Sequence, residues 1–186
     1  MNKNFTPKKI LGIHWRWSDI NKTSWKERQI LFENKWMRLD LFQFPMLEDP
    51  SFKDWEKVFN KIDFSLYDAI YTSSLWWVMT LRYMAENNLH TKRIVMAVPG
   101  ISFKTLDWKK ANLYDLNQEF LKLNSSNVAY EKIVISFMDD DVVPFQSWKE
   151  VAEKVNWKYI LLEKWWHKML WSMNLIVDLV KNWLDK

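Results

Sequence analysis

Glycine is almost missing from this chain: Gly12 and Gly100 are the two in 186 residues, against an ordinary usage of about 7%. As written, the chain has almost none of the residue that supplies positive φ and close backbone approach. Cysteine is absent altogether, which excludes disulfides, thiolate metal sites and a cysteine nucleophile together and is compatible with a reducing compartment. Histidine is confined to His14, His90 and His167, so few side chains could act as a base near neutral pH. The 27 basic and 23 acidic residues are scattered, and a net charge of +4 without an arginine block or basic helix argues against a nucleic-acid partner. No stretch is long and apolar enough to span a membrane. Residues 1–9 are polar and basic but lead into only a short apolar run, not a signal-peptide core. Together these absences predict a soluble, cytoplasmic protein with no membrane partner. Its length suits one domain over 1–186, without internal repeats or low-complexity tracts.

Tryptophan stands where glycine is missing: there are 14. Trp15, Trp17, Trp36, Trp76, Trp77, Trp148, Trp157, Trp165, Trp166 and Trp171 fall at turn-like or tight-packing positions, where backbone physics asks for glycine. Trp25, Trp55 and Trp183 instead lie on helical stripes that suit a large apolar side chain, and Trp108 fits either class. The codon UGA is read as tryptophan under one variant genetic code and as glycine under another. Reassigning the ten gives 12 Gly and 4 Trp, close to ordinary usage. The alternative is a genuinely aromatic binding surface, which predicts several of the ten exposed together on one face.

Short apolar runs alternate with longer periodic segments. Residues 10–14, 37–44, 68–73, 93–98, 132–137 and 158–162 read as strands, several nearly continuous in Ile, Val, Leu and Met as buried parallel strands are. Helical patterns cover 24–34, 52–62, 75–87, 113–123 and 147–155. The last segment spaces Met169, Met173, Ile176, Val180 and Trp183 by fours and threes, one face of an amphipathic helix. Strict alternation predicts an α/β fold, a mainly parallel sheet of about six strands with helices on both faces. Residues 101–130 are the loosest region and too short for a cap domain, although long enough for a small lid.

Three residues carry chemistry at strand ends. Ser74 closes the third strand just before a helix, in Thr72-Ser73-Ser74-Leu75-Trp76. The pattern G-x-S-x-G places a nucleophilic serine on a strained strand-to-helix turn, with the helix N-terminus aimed at the reacting carbonyl. Here the first glycine is another small residue and the second is one of the ten tryptophans. A serine in this place also serves as a plain helix N-cap. The acid follows the fifth strand in Asp139-Asp140-Asp141-Val142-Val143-Pro144. Three consecutive aspartates leave Asp139, Asp140 and Asp141 open as the acid. His167 follows the sixth strand in Trp165-Trp166-His167 and is the candidate base, while His90 sits in a polar surface run. His14 ends the first strand, where an oxyanion-hole contributor is expected, and the oxyanion donors are placed at the N–H of Leu75 and of Trp15 or Arg16. The order Ser, acid, His is that of the motif's own triad. A metal centre from His14, His167 and the aspartates lacks ligand spacing such as H-x-x-x-H, so neither metal nor cofactor is expected.

On these segments, and on Ile13-His14-Trp15 and Pro45-Met46-Leu47-Glu48-Asp49-Pro50 followed by Trp55, the chain resembles the small α/β-hydrolase-fold serine hydrolases of the YdeN and retinoblastoma-binding-protein-nine type. The likeness covers nearly the whole chain. It departs mainly in tryptophan for glycine, and in Thr72-Ser73 where Gly-His is usual. The resemblance favours Asp140 as the acid, because hydrolases of this kind often show Asp, two residues, then Val-Pro, with Asp139 and Asp141 as reserves. The resemblance implies a Ser74-Asp140-His167 triad cleaving a small-molecule carboxylic ester, or secondarily an amide, provided Trp76 and Trp77 are glycine in the native protein. Literal tryptophans favour a catalytically inactive binding protein of the same fold. Substrate identity and oligomeric state have no signal in the sequence.

Overall fold

A computed structural model describes residues 6–13, 23–44, 52–73, 76–97, 128–139, 145–154, 156–163 and 170–186. Six strands run in chain order: β1 (Lys8–Ile13), β2 (Met37–Leu41), β3 (Ala69–Ser73), β4 (Thr91–Ala97), β5 (Ala129–Phe137) and β6 (Lys158–Leu162). The helices are α1 (Thr23–Glu33), α2 (Phe52–Phe59), α3 (Trp76–Glu86), α4 (Phe145–Lys154) and α5 (Leu170–Leu184), with a short 3-10 turn at Phe64–Leu66. The periodicity predicts all eleven, and their ends differ by a few residues. The predicted helix at 113–123 lies outside the described residues. Strand β2 stops at Leu41, short of the predicted 44, and its last pair with β1 is Gly12 with Leu41. Beyond it Phe44 leaves the sheet to stack on Trp55, with ring centroids 4.4 Å apart.

The sheet is parallel throughout, in the order β2-β1-β3-β4-β5-β6. The chain first steps outward from β1 to β2, then crosses back over β1 to β3 and continues the other way. Right-handed crossovers put helices from opposite directions of travel on opposite faces. Accordingly Phe32 of α1 joins Met173, Ile176, Val177 and Val180 of the terminal α5 against one face. Trp55 and Phe59 of α2, Trp77, Leu81 and Met84 of α3 and Ala152 of α4 cover the other. Central strands buried on both sides explain the nearly unbroken apolar runs of β3 to β5. Among the described residues no helix is long and apolar enough to cross a membrane.

Helix ends separate the ten tryptophans. Three described non-glycine residues have left-handed φ: Asn88 at 51°, Asn156 at 54° and Trp36 at 59°. Each follows a helix, after α3, α4 and α1 respectively. The two asparagines end their helices by the usual αL route, closed by Leu89 N–H donating to Met84 O and Trp157 N–H to Ala152 O, 2.8 and 2.9 Å. Trp36 takes the same left-handed φ with a bulky side chain, 65% exposed, so its backbone strain is offset by little packing. Trp77 and Trp157 differ: both are buried in the core, 1% and 8% exposed, and neither has positive φ. Among the described side chains, these three tryptophans share no exposed face.

Trp36→Gly is therefore expected to stabilise the fold by about 1 kcal/mol. Thermal unfolding would register this as a rise of roughly 2–4 °C for a chain of this size, and an unchanged or lower midpoint would show that the exposed ring contributes more than the strain costs.

Candidate active site

In an open parallel sheet, ligands bind outside the carboxyl ends of the strands, at the point where strand order reverses. Here that point lies between β1 and β3, whose register pairs Ile13 with Thr72 at the carboxyl edge. The segment after β1 carries His14, Trp15 and Arg16, and the segment after β3 carries Ser74 and Leu75. These two segments leave adjacent strands, as an oxyanion hole shared between them requires.

Ser74, Leu75, Trp15, Arg16, His14, Asp140, Asp141 and His167 themselves lie outside the described residues. The structure describes the elements that carry them. Ser73 ends β3 and α3 begins at Trp76, so two residues make the strand-to-helix connection that contains Ser74. Asp139 is described: it is exposed in the turn that follows β5. The next residue, Asp140, therefore begins the segment leading to α4.

Two contacts tie the carriers together. Met138 N–H, in the turn after β5, donates to Leu162 O at the end of β6, 2.9 Å. This bond holds the start of the aspartate run beside the strand that leads to His167. On the other face, Tyr71 Oη donates to Met173 Sδ, 3.6 Å, inside the core. Tyr71 lies three residues before Ser74, and Met173 is in the first turns of α5, six residues after His167. Burial pushes the Tyr71 hydroxyl above its usual range while the nearby Arg28 pulls it down, so this link carries a neutral phenol at ordinary pH. Phe32 of α1 packs edge-on against the same ring, centroids 6.1 Å apart.

The spans are compatible with a triad. One strand, β4, separates β3 from β5, so their ends stand about 10 Å apart at a strand spacing of ~4.8 Å. His167 follows Leu162 by five residues, a segment that reaches at most about 17 Å when extended, enough to cross back toward the end of β3. Among the described residues no group of three or more His, Asp or Glu is arranged to hold a metal ion.

One hydroxyl at this edge escaped the sequence reading. Thr72 is 1% exposed, and its Oγ1 has no hydrogen-bond partner among the described residues. In the sequence Thr72 counts only as a small residue in place of glycine; that its hydroxyl is both enclosed and unpaired is a property of packing, with no signature in the pattern.

No protein-family model matches the chain, and no curated protein matches it in sequence. Solved structures do match. The ydeN gene product from B. subtilis superposes with a TM-score of 0.73 at 18% identity, covering 96% of this chain and 100% of that one. A monoacylglycerol lipase from Paleococcus ferrophilus gives 0.67 at 11% identity, with 96% and 95% covered. The esterase domain of a Rhodothermus marinus protein gives 0.67 at 12% identity, with 97% and 88% covered.

Proposed function

We propose that this chain, which has the α/β-hydrolase fold of the YdeN type, is a serine hydrolase that cleaves a small-molecule carboxylic ester through an acyl-enzyme. An amide is the second choice of substrate. The observation that carries the reading is the arrangement of carriers. The segments bearing Ser74, Asp140 and His167 leave the carboxyl edge of one sheet in the order nucleophile, acid, base. The Met138–Leu162 bond and the Tyr71–Met173 contact link them pairwise. The esterase and lipase among the structural neighbours support the ester.

In this reading His167 takes the Ser74 hydroxyl proton as the oxygen attacks the ester carbonyl, and Asp140 holds the imidazole tautomer and stabilises the imidazolium. The tetrahedral oxyanion accepts from the N–H of Leu75 and from an N–H at Trp15 or Arg16. Collapse expels the alcohol, which receives the proton from His167. Water, deprotonated by the same imidazole, then attacks the acyl group and releases the acid with Ser74 restored. Neither metal nor cofactor enters any step.

A fluorophosphonate probe tests the proposal without knowledge of the substrate, because it phosphonylates only an activated serine. Labelling that maps to Ser74 by peptide mass spectrometry is expected. Protein from its own host, with whatever residues that host inserts at 76 and 77, that stays unlabelled at concentrations that saturate an ordinary esterase is not a serine hydrolase. A second reading, an inactive binding protein of the same fold, is favoured by one observation: helix α3 begins with two tryptophans, the second fully enclosed in the core.

A further inference from the structure

We infer that the Thr72 hydroxyl positions the Ser74 turn during the reaction, an assignment that rests on the hydrolase reading above. Thr72 is the penultimate residue of β3, in register with Ile13 on one side and Met96 on the other. Both neighbours are apolar and fully buried, as is Ile70 two residues earlier on the same face. Trp77, from the first turn of α3, belongs to the same core layer. A valine would fill this volume and suit the strand equally well. It would also avoid an unmet hydroxyl, a kind of group that proteins seldom bury. A threonine held here without a partner among the described residues is a local cost with no gain in packing, and such costs gather at functional sites.

Two other buried hydroxyls behave differently. Ser136 hydrogen-bonds Tyr159, and Thr80 is engaged elsewhere. The one comparable side chain among the described residues is Thr91, whose Oγ1 is also buried and unpaired. It opens β4, at the amino edge of the sheet, a full strand length from the crevice. Location therefore separates the two. Thr72 lies two residues before the proposed nucleophile, in the strand that leads directly into the turn, and the backbone of that turn must hold its geometry as charge develops. Hydrogen bonds of a resting site commonly tighten only in the reacting complex. The hydroxyl is thus available to bond the turn backbone when the acyl group is seated.

The test compares Thr72→Val, Thr72→Ser and the control Thr91→Val in full-length protein, using a short-chain p-nitrophenyl ester, the fluorophosphonate probe and thermal unfolding. Loss of one neutral hydrogen bond corresponds to about a three- to tenfold change in rate. Thr72→Val should lose that much in kcat and in labelling rate with KM unchanged, and should melt no lower than wild type. Thr72→Ser should recover kcat, and Thr91→Val should keep it. If wild type is labelled at Ser74 and Thr72→Val reacts at the same rate, the Thr72 assignment falls alone. Equal losses in the valine and serine variants would also overturn it, since the γ-methyl would then be the part that matters. An unlabelled wild type removes the hydrolase reading and this assignment with it.

Discussion

Ser74→Ala is expected to cut ester turnover by on the order of 10⁴-fold or more, to the residual level that binding and an oxyanion hole sustain without a nucleophile. The fold should persist, because Ser74 lies in a two-residue connection while β3 and α3 are secured by the core through Ile70, Tyr71, Trp77 and Met84. His167→Ala should cost a similar factor, and the double variant little more than either alone, since members of one catalytic unit do not add. The same assay selects the acid. Replacing Asp139, Asp140 and Asp141 singly with asparagine should leave two variants near wild type. The third should fall by about 10⁴, the effect of losing the carboxylate that orients the base. Asp140 is the expected one, and a loss confined to Asp139 would move the role to the exposed turn residue beside Met138. Turnover unchanged in Ser74→Ala, with folding verified by thermal unfolding, would remove Ser74 from the mechanism.

The sheet was legible because its strands are buried on both faces, which leaves near-continuous apolar runs such as Ile133 to Phe137 and Ile94 to Ala97. Strand order was not, since it depends on where the connections through α1 and α2 turn the chain. That information lies in the handedness of crossovers rather than in the composition of any segment. Site candidates were legible as residue types at strand ends, Ser74 after Ser73 and the aspartates after Phe137. What binds their carriers together was not. Met138 to Leu162 is a main-chain bond without side-chain code, and Tyr71 to Met173 joins residues 102 positions apart. The hydroxyl of Thr72 was invisible for the same reason. Trp36 was legible as out of place from composition, and its φ of 59° supplies the physical ground. Trp77 and Trp157 looked alike in sequence but occupy filled core positions, because a helix start and a helix end can each turn a large side chain inward.

Protein purified from its own host is expected to carry glycine at the ten tryptophan positions, and peptide mass spectrometry together with the gene's codons decides each one. Three facts converge on this result. The chain has 2 Gly and 14 Trp; Trp36 holds a left-handed φ that glycine adopts without cost; and Trp76 stands where G-x-S-x-G has its second glycine. Trp77 is the stringent position. It is 1% exposed and among the largest enclosed side chains, so glycine there requires α3 to settle closer to the sheet, an approach that glycine permits. The catalytic consequence is large, because a nucleophile misplaced by about 1 Å loses on the order of a hundredfold in rate. The glycine form should therefore react with the fluorophosphonate probe at least about a hundredfold faster than the same chain made with tryptophan at 76 and 77. If native peptides instead carry tryptophan at both positions and the probe leaves Ser74 unmodified, the elbow is closed and the chain is better read as a binding protein on a hydrolase fold.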